Sequence, residues 1–175
     1  MNFFDVLEKR YSHKEVFLPD LVPLTDLEKI ARAGCAAPSG NNRQTVRLII
    51  LPDREAIDPL SQLVQHAGLA TTPAAIALFT DTTLTPEGHM SFDKEDYSAA
   101  MENILLAATA LGYSSLWLDH PYFDPEREAA AKKLLNIPEA CRLWATIPIG
   151  KPKGPGSRRE KLPFEERVFY GRYGQ

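Results

Sequence analysis

The sequence has few cysteines and no long apolar segment. Only Cys35 and Cys141 occur among its 175 residues, so a disulfide framework is not expected. Each lies in an apolar stretch, which predicts that both are buried as small hydrophobic residues. No apolar run approaches the roughly 20 residues of a membrane span, and Asp5 and Glu8 interrupt the N-terminal segment where a signal peptide is apolar. These absences predict a cytoplasmic protein that contacts no membrane.

Common nucleotide-binding and catalytic motifs are also missing. No G-x-G-x-x-G follows a strand, GKPKGPGS (150–157) has glycine and lysine in the wrong order for a Walker loop, and no G-x-S-x-G occurs. The four histidines are scattered and form no short metal-ligand pair, so we expect no metal site. Asp119 and His120 are adjacent, and neighbours on an extended strand end point to opposite faces, which disfavours an acid–base pair.

The composition is that of an ordinary globular protein. Hydrophobic residues make up 44% and charged residues 25% of the chain, which predicts one domain over residues 1–175. The net charge of −3 gives no general attraction to nucleic acid. Residues 151–161 (KPKGPGSRREK) carry +4, however, so the remainder carries −7. Such a concentrated basic segment indicates a specific anionic partner.

Hydrophobic periodicity predicts alternating helices and strands. We expect helices over residues 2–10, 25–36, 54–67, 93–111 and 124–136, and strands over residues 46–51, 74–80, 113–118 and 142–150. Thr25 and Glu28 form a candidate capping box for the second helix. The fourth helix is apolar almost all round, so it should lie deep in the structure or in a subunit interface. The pattern predicts an α/β-type layered fold with one sheet between helices, and leaves open whether the sheet is parallel or mixed.

Two basic clusters could bind one phosphate. In KRYSHK (9–14), Arg10, Ser12 and Lys14 alternate, which places them on one face of an extended segment. The alternative is a helix end decorated with cations for its dipole. The second cluster contains Arg158, Arg159 and Lys161, which on their own would indicate a solvated loop. Two such groups in an acidic protein favour a shared phosphate site.

A third feature is the polar junction GCAAPSGNNRQTVR (34–47) between a predicted helix and a predicted strand. Pro38 should end the helix, but the turn-forming and hydrogen-bonding residues that follow exceed what a plain connection requires. The excess of donors and acceptors favours a binding segment.

These segments, taken in order, resemble the nitroreductase-like flavoprotein family. The resemblance rests on KRYSHK, APSGNNRQTVRLIIL, ENILLAATALGYSSLWL, IPIGKP and REKLPFEERV, and extends from Arg10 to about Val168. It implies an α+β three-layer sandwich with a mixed central sheet between helices, in an obligate homodimer with FMN at the subunit interface. It also implies NADH or NADPH as a transient electron donor, and nitroaromatics, quinones or similar small molecules as acceptors in a ping-pong flavin reaction.

The resemblance assigns roles to individual residues, none of them catalytic, because hydride transfer takes place on the flavin. Arg10, Ser12 and Lys14 would hold the FMN phosphate and ribityl chain, with backbone contacts from Tyr11, and Arg159 and Lys161 would complete the phosphate site. Pro38, Ser39 and Gly40 would reach the partner's flavin, while Asn42 and Gln44 would bond polar atoms of the ring. Trp117, Leu118 and Asp119 would run along the isoalloxazine. Glu102 and Asn103 would be structural.

The sequence departs from the family pattern at one point. Thr45-Val46 stand where the family commonly has Pro-Trp after the glutamine, so the local pocket should differ in shape. The chain is also short for the family, which implies an open pocket with loop 81–92 as its lid. Two alternatives remain open: an FMN-binding carrier or sensor without efficient turnover, and a flavin-free module whose segment 151–161 binds an anion such as RNA.

Overall fold

The computed structural model describes residues 2–174, which form six α-helices and four strands. In chain order these are α1 (Phe3–Lys9), α2 (Leu24–Cys35), β1 (Val46–Leu51), α3 (Arg54–Val64), α4 (Ala67–Thr71), β2 (Ala74–Asp81), α5 (Asp93–Ala110), β3 (Ser114–Ser115), α6 (Pro125–Leu134) and β4 (Cys141–Gly150). No helix in this part of the chain is long and apolar enough to cross a membrane.

The sheet has the strand order β1-β2-β4-β3, and all three of its ladders are antiparallel. The central strand β2 pairs with β1 through Val46–Thr80 and with β4 through Ala74–Ile149. A single parallel bridge joins Ser12 to Ser115 at the β3 edge. Within the described residues the four-stranded sheet is therefore antiparallel, and the parallel pairing expected of a mixed sheet is limited to this isolated bridge, which brings the N-terminal segment alongside β3.

Helices cover both faces of the sheet, as the sequence predicts for a three-layer α+β fold. On one face α2 and α5 bury one set of alternating β2 residues, including Ile76 and Leu78. On the other face α3 and α6 bury the opposite set, including Ala75 and Ala77. The strand period of two thus divides β2 between two hydrophobic cores. This confirms the prediction, from its continuous apolar run, that β2 is covered on both faces.

Several local predictions are wrong. Helix α2 begins at Leu24 after Pro23, without a side-chain cap, so the Thr25–Glu28 capping box does not form. The third strand is only Ser114–Ser115, followed by one bridge from Leu118 to Thr146. The helix expected over 54–67 ends at Val64 because Gln65 takes a left-handed conformation with φ of 54°. The break is at Gln65, and Pro59 lies inside the helix.

The two cysteines differ from each other. Cys141 is buried at the start of β4, which confirms the prediction for that residue. Cys35 is exposed at the last position of α2. The prediction for Cys35 is wrong because the buried face of this helix presents Leu27, Ile30 and Gly34 instead.

Candidate functional site

The two basic clusters meet in one cleft, which we call the basic cleft. Its volume is about 290 Å³, and it is lined by Arg10, Tyr11, Ser12, His13, Lys14, Glu15, Pro155, Gly156, Ser157, Arg158, Arg159 and Lys161. The structure therefore brings together the six residues predicted for the phosphate site, which come from opposite ends of the chain.

Backbone pairing holds the first wall of the basic cleft extended. Helix α1 ends at Lys9, and the next residue, Arg10, begins an extended segment with φ and ψ of −64° and 127°. The His13 amide donates to the Ser115 carbonyl at 2.9 Å, next to the Ser12–Ser115 bridge. His13 is only 4% exposed and packs edge-on against Phe17, whereas Ser12 and Lys14 are exposed. The alternation predicted for this segment is thus observed.

The second wall rests on the first. The Lys153 amide donates to the Val16 carbonyl at 3.0 Å, and the Arg158 guanidinium donates to the Glu8 carbonyl at 2.6 Å. Gly156 lies against the ring of Tyr11, so that a Cβ at this position would be 2.0 Å from Tyr11 Cζ. The Tyr11 hydroxyl is itself bonded to Ser114 Oγ at 2.8 Å. The ring of Tyr11 therefore supports the basic loop, residues 151–161, through its contact with Gly156.

The basic cleft has a surplus of positive charge. It contains five cationic side chains, those of Arg10, Lys14, Arg158, Arg159 and Lys161. Arg10 Nε lies 3.7 Å from Glu102 on α5, and Glu15 is the only carboxylate among the lining residues. Nearby, burial lowers the pKa of His66, and the charge of Lys14 lowers it further.

This donor set fits a doubly charged phosphate ester. Cationic nitrogens and the Ser12 and Ser157 hydroxyls supply charge-assisted and neutral hydrogen bonds. The buried Ser115 Oγ, paired in register with Ser12, has no hydrogen-bond partner among residues 2–174. In the same part of the chain, no cluster of three or more His, Cys, Asp or Glu side chains is placed to hold a metal ion.

The polar junction forms a tight loop over residues 38–45. Asn41, Asn42 and Gln44 have φ values of 53°, 54° and 53°, in the left-handed region that few residues other than glycine and asparagine adopt readily. The Gln44 amide donates to Ser39 Oγ at 2.9 Å, which closes the loop on itself. Because this bond uses only the backbone of Gln44, its side chain remains free, and both Gln44 and Asn42 are exposed.

Residues at the start of α5 hold this loop in place. Asp96 accepts hydrogen bonds from the Gly40 amide at 2.7 Å and from the Thr45 hydroxyl at 2.6 Å. Gly40 sits directly on Phe92, where a Cβ would lie 2.2 Å from the ring. Arg43 donates to the Met90 carbonyl at 2.8 Å, which joins the loop to the 81–92 segment.

A second cavity, the α2–β1 groove, lies beside this loop. It has a volume of about 560 Å³ and is lined by Pro38, Ser39 and Gln44 together with residues of α2 and β1, such as Ala31, Gly34, Leu48 and Ile50. Cys35 and Asp96 also line it. The groove runs along β1, which is an edge strand of the sheet.

The third predicted group, Trp117, Leu118 and Asp119, lines neither cavity. Leu118 is 6% exposed and its side chain packs in the α3–α6 core, so only its backbone can face a ligand. Trp117 Nε1 donates to Asp119 Oδ2 at 3.0 Å, and the Trp117 ring meets Tyr97 edge-on. The structure thus places the residues predicted to bind the phosphate in the basic cleft, and the other two predicted groups of residues elsewhere in the chain.

Sequence reasoning missed several residues of these sites. Asp96 and Thr45 are buried beneath the loop, and Gly156 and Ser157 complete the basic cleft. The sequence held no signal specific to Asp96, because the first turn of α5 also contains Asp93 and Glu95. Glu102 and Asn103 make structural contacts, to Arg10 and to the Ala33 carbonyl.

The layered fold and the paired basic segments define a class of protein found elsewhere. Residues 7–82 and 56–151 match the model of the Nitroreductase family, so the chain belongs to this family.

Individual relatives are similar over most of their length. An Archaeoglobus fulgidus protein, provisionally described as an NADH dehydrogenase/NAD(P)H nitroreductase, is 38% identical over 129 residues, which is 73% of each chain. A Clostridium acetobutylicum structure, provisionally described as an NADH oxidase, has a TM-score of 0.83 at 30% identity and covers 97% of this chain and 100% of its own. The FMN-dependent nitroreductase of Clostridium difficile R20291 has a TM-score of 0.81 at 25% identity, covering 97% and 99%.

Proposed function

We propose that this protein is an FMN-dependent NAD(P)H oxidoreductase that reduces nitroaromatics, quinones or similar acceptors by a ping-pong reaction. The observation that carries the proposal is the basic cleft, where two cationic segments from opposite ends of the chain converge with hydroxyl groups. FMN ends in a phosphate of the charge that this cleft would neutralise, and a family relative is described as FMN-dependent.

Each part of the chain has a distinct role in this proposal. Arg10, Lys14, Arg159 and Lys161 hold the phosphate, while Ser12 donates from its hydroxyl. Asn42 and Gln44 direct side-chain amides toward polar atoms of the ring, where donors stabilise developing negative charge. Bound FMN would supply the redox chemistry, which agrees with the absence of an acid–base motif in the sequence. The protein binds and orients the cofactor and leaves one face accessible to NADH or NADPH and then to the acceptor.

A homodimer belongs to the same proposal. The loop over residues 38–45 and the basic cleft are separate sites in one protomer, so a flavin that uses both would lie between two copies. Ala99 and Leu106, which lie two turns apart on the same face of α5, are only half-buried, and that helix face is available to a partner.

Two measurements test the redox function. The purified protein should bind FMN with the absorption of a flavoprotein, and anaerobic NADH or NADPH in a stopped-flow instrument should bleach that absorption. Flavin that stays oxidised with both nucleotides would instead support a carrier or sensor. A protein that gains no flavin absorption after incubation with FMN would contradict both, and would direct attention to anion binding by segment 151–161.

Replacing Arg159 tests the phosphate assignment. Charge-assisted hydrogen bonds contribute about 1.5–3 kcal/mol, so Arg159→Ala should weaken FMN binding by roughly tenfold to a hundredfold. Riboflavin, which lacks the phosphate, should bind both proteins equally. Lys153→Ala is the control, because Lys153 is an exposed cation of the same segment outside the cleft. Equal losses for FMN and riboflavin would show that Arg159 does not act on the phosphate.

A further inference from the structure

A buried carboxylate lies beneath the loop over residues 38–45. Asp96 is only 2% exposed, yet its two oxygens accept from two different parts of that loop. Oδ1 accepts from the Gly40 amide at 2.7 Å and Oδ2 from the Thr45 hydroxyl at 2.6 Å. Thr45 is itself only 2% exposed, so both partners of the second bond are shielded from water.

The charge of Asp96 is compensated without a salt bridge. Among residues 2–174, no lysine, arginine or histidine forms an ion pair with it. Asp96 lies in the first turn of the 18-residue helix α5, where the helix dipole favours negative charge. The Gly40 amide and the Thr45 hydroxyl supply one hydrogen bond to each of its two oxygens. A buried carboxylate in this position depends on these donors, because leaving either oxygen unsatisfied is costly.

The two bonds hold both ends of a strained segment. Gly40 and Thr45 flank the three residues of this loop that have positive φ, which are Asn41, Asn42 and Gln44. Such conformations persist only where the surrounding structure enforces them. The Ser39–Gln44 bond closes the loop internally, but Asp96 is the group that attaches both of its ends to α5.

We propose that Asp96 and Thr45 are positioning residues, which hold the loop so that the side-chain amides of Asn42 and Gln44 meet the flavin ring. This inference rests on the proposed function and adds a role for Thr45, one of the two residues that depart from the family pattern. The threonine hydroxyl ties the loop to α5 at the position where the sequence lacks a rigid proline. Neither residue needs to touch the ring.

Three substitutions separate the contributions. Thr45→Val keeps the size and shape of the side chain and removes its hydroxyl donor. Thr45→Ser restores the hydroxyl. Asp96→Asn keeps the size and gives up one of the two acceptors. Glu95→Gln is the matched control, because Glu95 is an exposed acidic residue in the same first turn of α5 and makes no hydrogen bond to the loop among the described residues.

The readouts are binding of riboflavin and of FMN, the visible absorption spectrum of each complex, and the midpoint potential of bound FMN. We expect Thr45→Val and Asp96→Asn each to weaken the binding of riboflavin and of FMN by the same factor, about tenfold. Both substitutions should also shift the absorption bands of the bound flavin and change the midpoint potential of bound FMN. Thr45→Ser and Glu95→Gln should match the wild type. An equal loss of affinity for riboflavin and FMN shows that contacts to the ring are affected. Replacement of Arg159, in contrast, should weaken the binding of FMN alone.

Thermal unfolding of the apoprotein completes the test. If Thr45→Val lowers the melting temperature but leaves riboflavin affinity, spectrum and potential unchanged, the two residues are merely structural and the inference is wrong. Failure of Thr45→Ser to recover wild-type binding would also contradict it. If the wild-type protein binds neither FMN nor riboflavin, the proposed function fails instead, and the bonds of Asp96 serve only the fold.

Discussion

At the scale of single residues, Gly156 controls how closely the basic loop approaches Tyr11. A Cβ would lie 2.0 Å from the Tyr11 ring carbon Cζ and 2.4 Å from its hydroxyl oxygen, much closer than atoms pack. Gly156→Ala should therefore displace the loop or the ring, and weaken FMN binding by about tenfold or more. Fluorescence titration with FMN measures the loss.

A second substitution shows whether the clash with Tyr11 is the cause. Combining Gly156→Ala with Tyr11→Ala removes the ring that the new methyl group meets, so the double variant should bind FMN better than the two separate losses predict. Strictly additive losses would mean that Gly156 acts through something other than Tyr11. Wild-type affinity in Gly156→Ala would show that the loop adjusts freely.

The sequence predicted the cationic residues of the basic cleft better than it predicted the buried residues that hold the neighbouring loops in place. Arg10, Lys14 and Arg159 were recognisable because two basic clusters in one acidic protein favour a shared anion, and because both clusters match the family pattern, although each cluster alone also has a structural explanation. Asp96 was not, because its role depends on Gly40 and Thr45, which meet it only after the chain has folded. Leu118 resembles a ligand-facing position in sequence, but the register of its bridge to Thr146 turns its side chain into the core.

At the scale of secondary-structure elements, the short helix α4 is capped by a titratable group. His66 Nδ1 accepts from the Gly68 amide at 3.1 Å, so the cap requires a ring nitrogen without a proton. Burial and the charge of Lys14 lower the pKa of His66 below its ordinary value of 6.5. In the window between the lowered pKa and 6.5, the unfolded chain binds more protons than the folded one, so stability falls as the pH falls.

We therefore expect His66→Asn to reduce the loss of stability on acidification from about pH 7.5 to about pH 5.5, because asparagine caps a helix without titrating. Urea unfolding at a series of pH values measures the effect, with His120→Asn as the control for an exposed histidine. Lys14→Ala should raise the pKa of His66 in an NMR titration. An identical pH dependence in the wild type and His66→Asn would contradict the prediction.

Element boundaries were predictable where the pattern was long and failed where it was short. Strand β1 was predicted with the observed limits, 46–51, because apolar residues continue to the neighbouring turn signals. The third strand was predicted too long, because YSSLWL has the composition of a strand but only Ser114 and Ser115 pair within the β3–β4 ladder. Composition reports the preference for extended backbone, whereas the number of ladder bonds depends on where β4 ends.

At the scale of the whole molecule, the C-terminal segment exposes an unusual number of large apolar side chains. They are Leu162, Phe164, Val168, Phe169, Tyr170 and Tyr173, and all are at least 37% exposed. Apolar surface of this extent is typical of an interface. We predict that sedimentation gives twice the 19.5 kDa chain mass.

Charged substitutions test whether this segment contributes to the dimer. Phe164→Asp combined with Tyr170→Asp should shift the sedimenting species toward the monomer at micromolar concentration. Leu21→Asp is the control, because Leu21 is 79% exposed and lies outside the segment. A monomeric wild type would refute the dimer itself. An unaffected dimer in the double variant would place the interface elsewhere, for instance on the half-buried face of α5.

The basic cleft also affects how readily proteases should degrade the protein. Its second wall belongs to a segment in which every residue from Lys153 to Gly174 is exposed, and its cations repel one another in the absence of an anion. A ligand that binds only the folded protein stabilises it by mass action. If the cleft binds the FMN phosphate as proposed, removal of flavin should make this end of the chain the first to be cut by proteases. The supply of riboflavin would then regulate the amount of the enzyme as well as its activity.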